Sequence, residues 1–255
     1  MKSASIWIKA QSQKGNIMKI SEIMSILTKA IPIKDSWISE SYGAYNIDDM
    51  SKDVKKILYC VTATEEVVEY FKKHNYDLII SHHPFVVPVP MLVFHTALDC
   101  CKGGLNDMWA ELLEVKNAKH FSRNLGWVGS IEPISYDALL EKIENFIGAK
   151  VIGVKYTNGS MISSVVICTG LGGMVFSEAE RTKADCYITG ELMSSHVKDS
   201  RFKGVVEVGH TLTEFIGIKL FKELLPNVQI DSAPLDIDYF AMETSIGSHT
   251  VRRKS

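Results

Sequence analysis

A strand–helix–strand pattern in the first third of the chain limits most strongly how this sequence can fold. Residues 55–63 and 76–81 are mostly apolar runs of strand length. Between them, Thr64 precedes two glutamates, a pattern typical of a helix start, and predicts a helix that ends near Lys73. Two buried strands joined by a helix run parallel in one sheet. The sequence therefore predicts an α/β protein with a parallel sheet.

The same alternation of strands and helices continues to the end of the chain. Apolar spacing of three and four predicts a first helix at 20–31, and residues 35–53 are polar and predict a loop. Later strands are predicted at 91–94, 149–156, 163–169, 186–189 and 205–208, and later helices at 105–113, 135–147, 175–183 and 213–225.

A stretch with Gly126, Gly129 and Pro133 is predicted to connect two domains. The predicted organisation is a first α/β half at 18–130 and a second at 131–245, whose C-terminal part packs back on the first half. Residues 1–17 and 246–255 are predicted to be flexible tails.

Composition excludes several classes of protein. The formal net charge is −2, so no basic excess points to nucleic acid, and no apolar run approaches the length of a membrane helix. The N-terminal residues lack the pattern of a signal peptide. Five cysteines, an odd number with no CxxC pair, predict buried thiols in a reducing, cytoplasmic environment.

Two adjacent histidines end the second apolar run. His82 and His83 follow Ile80-Ser81, and Pro84 restricts His83 to extended backbone. Ligands in parallel α/β sheets bind beyond the carboxyl ends of the strands, which is where both imidazoles would lie. The alternative is an ordinary polar loop, but the other clusters of the sequence favour a metal site.

Two histidine–carboxylate pairs with a spacing of four follow later strands. His95 and Asp99 form one pair, and His210 and Glu214 form the other. Residues four apart share a helix face, so each pair can reach one ion. Either pair could instead be a surface contact, and His95 either binds metal or supports a ligand.

Together these clusters supply enough imidazole and carboxylate ligands for two divalent ions. Cys100 or Cys101 could add a thiolate, although the harder ligands suffice. The ion could be Zn, Fe, Mn or Mg.

The segment after the strand at 186–189 contains candidate catalytic groups. Glu191 or His196 could act as general acid or base beside a metal site. An equally favoured alternative is that Glu191 does no more than stabilise the start of a helix. The turn Gly170–Gly173 could hold an anion on its N–H groups, although it fits no nucleotide motif.

These motifs resemble the Nif-three-like family (NGG-one-interacting factor three-like), whose members are often labelled GTP cyclohydrolase I type 2 homologues. The resemblance covers roughly Met18 to Tyr239. It is carried, in this order, by VTATEEV, DLIISHHP, HTALD, GWVG, ITGELMSSH and GHTLTE.

The resemblance implies two α/β halves with a dinuclear metal site in the cleft between them, and a ring-shaped hexamer built from dimers. The implied ligands are His82, His83, Asp99, His210 and Glu214, with Glu214 bridging the ions. The chain departs from the family pattern in a shorter segment between Pro84 and His95, a degraded motif at 36–40, a single histidine at 196 and an altered glycine turn. All five implied ligands are present, so the departures concern substrate contacts.

Two functional hypotheses follow from the sequence. The first is a dinuclear metal-dependent hydrolase acting on a nucleotide-like substrate, either a GTP cyclohydrolase or a phosphoesterase. The second is a metal-binding scaffold or regulatory protein without turnover. A dinucleotide-dependent oxidoreductase is disfavoured because the glycine fingerprint is missing.

Overall fold

The computed structural model describes residues 16–37, 42–156, 160–192, 197 and 200–238, with the side chains of 153–156 left out. The helices are α1 (Ile20–Ala30), α2 (Glu65–Lys73), α3 (His95–Cys100), α4 (Leu105–Leu112), α5 (Tyr136–Ile147), α6 (Phe176–Arg181), α7 (His210–Phe215) and α8 (Ile218–Leu224). The strands are β1 (Met18–Lys19), β2 (Gly43–Tyr45), β3 (Asp53–Val54), β4 (Lys56–Cys60), β5 (Leu78–Ser81), β6 (Met91–Val93), β7 (Lys116–Phe121), β8 (Gly126–Ser135), β9 (Ile152–Tyr156), β10 (Met161–Cys168), β11 (Cys186–Thr189), β12 (Gly204–Glu207) and β13 (Gln229–Ser232). The prediction of a mixed α/β fold is confirmed.

The chain forms two compact units. The central unit is Leu105–Thr213, and the histidine unit consists of the described residues of Ala10–Gly104 and Glu214–Ser255. The domain boundary near residue 130 stays a prediction, because a compact unit need not be an independently folding domain.

The histidine unit is built on a five-stranded sheet of order β13-β4-β5-β6-β2. Its first four strands are parallel, and β2 pairs antiparallel with β6. The predicted strand–helix–strand unit is β4-α2-β5, in which the Thr64 hydroxyl accepts a hydrogen bond from the Val67 N–H and caps α2. Val67 and Phe71 of α2 pack against Leu58 of the sheet in one buried cluster. The carboxyl ends of β4, β5 and β6 therefore meet at one edge of the sheet.

The central unit contains a six-stranded sheet of order β7-β8-β10-β11-β12-β9. Strands β10, β11 and β12 are parallel, whereas β7, β8 and β9 pair antiparallel with their neighbours. Its core gathers Val166, Phe176, Tyr187 and Phe202, all buried.

Three local predictions were wrong. The polar segment 35–53 was expected to be a loop but contains β2 and β3, and the stretch with Gly126, Gly129 and Pro133, expected to be a connecting segment, is strand β8, which pairs with β7. The helix expected at 213–225 is divided into α7 and α8, and α7 begins earlier, at His210.

Within the part of the chain that the structure describes, no helix combines the length and apolar character that crossing a membrane would require.

Candidate metal centre

The paired histidines lie where β5 ends, as the sequence predicted. Their backbone continues the pairing with the neighbouring segment, because the His82 N–H donates to the Cys60 carbonyl and the His83 N–H to the Val61 carbonyl, at 3.1 and 2.7 Å. Both side chains are buried, with 1% and 3% of each residue exposed. Two polar rings are thus held inside the protein by the end of an apolar strand.

Helix α3 brings the next pair to the same place. It follows β6 directly, and the His95 N–H donates to the His82 carbonyl at 3.0 Å. Asp99 lies one turn later, and its Oδ2 is 3.7 Å from His82 Nε2. The rings of His82, His83 and His95 each offer a nitrogen within 4.8 Å of the other two. The structure therefore places His95 among the possible ligands.

Glu214 presents its two carboxylate oxygens to different histidines. Oε1 is 3.3 Å from His82 Nε2, and Oε2 is 3.2 Å from His83 Nε2. His82, Asp99 and Glu214 form a second buried group whose ligand atoms lie within 4.8 Å of one another. Burying a carboxylate is costly unless it is paired or hydrogen-bonded, and a bound ion would supply a partner of opposite charge.

The spacing of these atoms suits coordination. Ligand atoms about 2.0–2.2 Å from one ion are separated by about 2.8–3.6 Å in tetrahedral or octahedral arrangements. Both distances from Glu214 fall in this range, and the distance from Asp99 to His82 lies just above it. The imidazole and carboxylate donors of the histidine unit thus fit a divalent ion, and this buried group could bind one.

Thr62 supports His83 from the side opposite Glu214. Its Oγ1 lies 2.8 Å from His83 Nδ1, while Nε2 of the same ring faces Glu214. The N–H groups of Val61 and Thr62 both donate to the carboxylate of Asp238, at 2.8 Å each. Sequence reasoning gave neither Thr62 nor Asp238 a role, because Asp238 lies far along the chain and no motif surrounds it.

His210 and Glu191 form a pair within the central unit. His210 begins α7, one turn before Glu214 on the same helix, and its Nδ1 is 2.9 Å from Glu191 Oε2. Both residues are buried. A carboxylate that holds one nitrogen of an imidazole orients the other nitrogen, a common arrangement around metal ligands. The catalytic role of Glu191 stays a prediction, and His196 lies outside the described residues.

Three N–H groups of the glycine turn have partners within the protein. The N–H groups of Gly170, Gly172 and Gly173 donate to Thr213 Oγ1, the Gly170 carbonyl and the Glu191 carbonyl, respectively. These hydrogen bonds compete with the anion binding suggested for this turn, which stays a prediction.

The cysteines take no part in the ligand groups. All five are buried thiols, as predicted. Among the described residues, none of the groups that could hold an ion contains a cysteine.

Comparison with known proteins places this arrangement in a family. The sequence matches the model of the Duf34/NIF3 (NGG1p interacting factor 3) family at residues 18–89 and 88–245. The GTP cyclohydrolase 1 type 2 homolog of Methanocaldococcus jannaschii is 26% identical over 250 residues, which are 89% of this chain and 100% of that protein. The protein of the same name from Clostridium perfringens is 25% identical over 231 residues, which are 78% and 87% of the two chains.

Solved structures show the same fold. Reduced HcgD from M. jannaschii has a TM-score of 0.75 and 26% identity, and covers 88% of this chain and 100% of its own. A Bacillus cereus protein related to NIF3 also has a TM-score of 0.75, with 17% identity, and covers 88% and 99%. The resemblance inferred from the histidine motifs is thus confirmed.

Proposed function

Since this chain belongs to the Duf34/NIF3 family, we propose that it is a dinuclear metal protein that hydrolyses a nucleotide-like substrate. The names of its relatives, GTP cyclohydrolase 1 type 2 homologs, favour GTP or a similar nucleotide. A hexamer built from dimers is proposed as the assembled form, because the family resemblance implies it.

The observation that best supports two ions is the orientation of the Glu214 carboxylate. One oxygen faces His82 and the other faces His83, which is the arrangement expected of a carboxylate that bridges two ions about 3.5–4 Å apart. Asp99 lies on the His82 side. His210 is proposed as a ligand on the His83 side, because it lies one helical turn before Glu214 and Glu191 fixes its ring.

The residues of the chain have separate roles in this proposal. Divalent ions, when bound, supply Lewis acidity, which activates water and stabilises negative charge that develops on oxygen. Asp99 and Glu214 balance the charge of the ions, and the histidines fix their positions. Glu191 and His196 are proposed as the groups that exchange protons with water and the leaving group.

Burial of the ligands favours a second candidate, a metal-binding protein without turnover. His82, His83, Asp99 and Glu214 are between 1% and 8% exposed, which suits retention of an ion better than access of a large substrate. The two candidates share the metal site and differ in whether a substrate reaches it.

Metal content tests the shared site. Purified protein reconstituted with Zn²⁺, Mn²⁺ or Fe²⁺ should contain about two ions per chain by elemental analysis. Glu214→Gln should lose at least one of them, because it removes the bridging charge. Glu223→Gln, which changes an exposed glutamate of α8, is the matched control and should keep both. Equal metal in all three proteins would refute the site.

Turnover separates the two candidates. The hydrolase should convert GTP with the added metal at a rate that Glu214→Gln abolishes and Glu223→Gln retains. Full metal content with no metal-dependent turnover of GTP or other nucleotides would favour the binding protein.

A further inference from the structure

Thr62 lies directly beyond the carboxyl end of β4 and contacts one of the candidate ligands. It is 5% exposed, and its hydroxyl lies 2.8 Å from Nδ1 of His83. The hydroxyl therefore contacts Nδ1, whereas Nε2 of the same ring faces Glu214.

The backbone that carries this hydroxyl is itself fixed by a buried carboxylate. Asp238 has no exposed surface, and its two oxygens accept hydrogen bonds from the N–H groups of Val61 and Thr62. The Val61 carbonyl in turn accepts the hydrogen bond from the His83 N–H. Backbone and ring of His83 are thus both held by the Val61–Thr62 segment.

We infer that Thr62 is a positioning residue for metal binding, held in place by Asp238, and that its hydroxyl supports the His83 tautomer that can act as a ligand. A neutral imidazole carries its proton on one nitrogen only. When Nδ1–H donates to the Thr62 hydroxyl, Nε2 keeps the lone pair that a metal requires. That nitrogen is the one that faces Glu214 Oε2 at 3.2 Å.

The inference rests on the proposed metal site and adds an asymmetry to it. The hydroxyl of Thr62 lies against the ring of His83. Loss of the hydroxyl should therefore weaken the ion on the His83 side more than the ion on the His82 side.

Metal titration of three threonine variants tests the inference. Thr62→Val removes the hydroxyl at constant shape and should weaken binding of one Zn²⁺ or Mn²⁺ equivalent by roughly 10–100-fold, the effect typical of lost support behind a metal-binding histidine. Thr62→Ser keeps the hydroxyl and should restore most of the affinity. Thr182→Val is the matched control, since the Thr182 hydroxyl donates to the Ala179 carbonyl and accepts from the Ala184 N–H at the end of α6 in the central unit.

Thr182→Val should lower the melting temperature of the metal-free protein but leave metal affinity unchanged. Nitrogen NMR of the Zn²⁺-loaded protein supplies a reading that general destabilisation does not imitate. With Nε2 on the ion, the His83 Nδ1–H should exchange slowly with solvent in the wild type and faster in Thr62→Val, which has no hydroxyl to accept it.

The outcomes distinguish the proposed metal site from the role proposed for Thr62. A wild-type protein that binds no metal would overturn the proposed function. A wild type that binds two ions, together with Thr62→Val of equal affinity and equally slow exchange of the His83 Nδ1–H, would overturn the role of Thr62 alone. Equal weakening in Thr62→Val and Thr182→Val would also overturn it, because both changes would then act through stability.

Discussion

Tyr59 links β4, an interior strand of the five-stranded sheet, to the helix that carries Glu214. Its ring is fully buried in β4, and its hydroxyl donates a hydrogen bond to the backbone carbonyl of Glu214 at 2.9 Å. Burial raises the pKa of this phenol well above its usual value, and the nearby carboxylates of Asp238 and Glu214 raise it further. Tyr59 therefore remains a hydrogen-bond donor at any ordinary pH, and Tyr59→Phe isolates the contribution of that one hydrogen bond.

The expected cost is about 1 kcal/mol. A neutral hydrogen bond contributes a net ~0.5–1.5 kcal/mol, and the cost rises to ~3 kcal/mol when a buried partner is left unsatisfied. Here the Glu214 carbonyl also accepts the Gly217 N–H at 3.0 Å, so it keeps a partner in the variant. Only an oxygen atom is removed, so the cavity term is small.

Urea denaturation in the presence of a chelator measures this cost without a contribution from metal. Tyr76→Phe is the control, because the Tyr76 hydroxyl bonds to the Asp231 carboxylate and does not contact α7. Both variants should lose stability, but only Tyr59→Phe should also weaken metal binding, since it loosens the backbone of Glu214. A loss of unfolding free energy near zero in Tyr59→Phe would show that the hydroxyl's hydrogen bond does not stabilise the fold. A loss above ~3 kcal/mol would show that the Gly217 N–H does not keep the Glu214 carbonyl satisfied.

Two further predictions concern the central unit. Burial of Asp185 raises its pKa, but hydrogen bonds, above all from Lys203, outweigh this and hold the pKa below its usual value. The carboxylate therefore stabilises the fold at neutral pH, and this contribution is lost as the pH falls below about 4 through the folded-state pKa. Asp185→Asn should lower the free energy of unfolding at pH 7. It should also make that free energy depend less on pH on the acid side. Gly172→Ala should destabilise the protein by at least ~1–3 kcal/mol in thermal unfolding. The reason is that an added Cβ would lie 2.0 Å from Thr189 Oγ1 and 2.4 Å from the Tyr187 hydroxyl. Unchanged stability would contradict this packing around Gly172.

The candidate ligands could be predicted because each occupies a local pattern. His82 and His83 end an apolar strand, and the i, i+4 spacing of His95 and Asp99 suits the helix that follows β6. Strand ends of a parallel sheet meet at one edge, so local predictions converge on one place. The convergence of Glu214 on the same group needed the fold as well.

The supporting residues could not be predicted, because their contacts join distant parts of the chain. The hydrogen bonds from Val61 and Thr62 to Asp238 span 177 and 176 residues. The β7 strand was missed for another reason: Lys116–Phe121 is exposed along nearly its whole length, so no alternation of apolar and polar residues indicates a strand.

The position of Asp238 and Glu214 along the sequence has a consequence for the order in which this protein matures. Synthesis proceeds from the N-terminus, and early segments can begin to fold while later ones are still being made. His82 and His83 emerge well before Glu214, before β13 adds its parallel edge to β4, and before Asp238 closes on Val61 and Thr62. A nascent chain that ends before residue 214 has the paired histidines but lacks the carboxylate that joins them. The proposed ions would therefore find a complete set of ligands only after Glu214 has been synthesised.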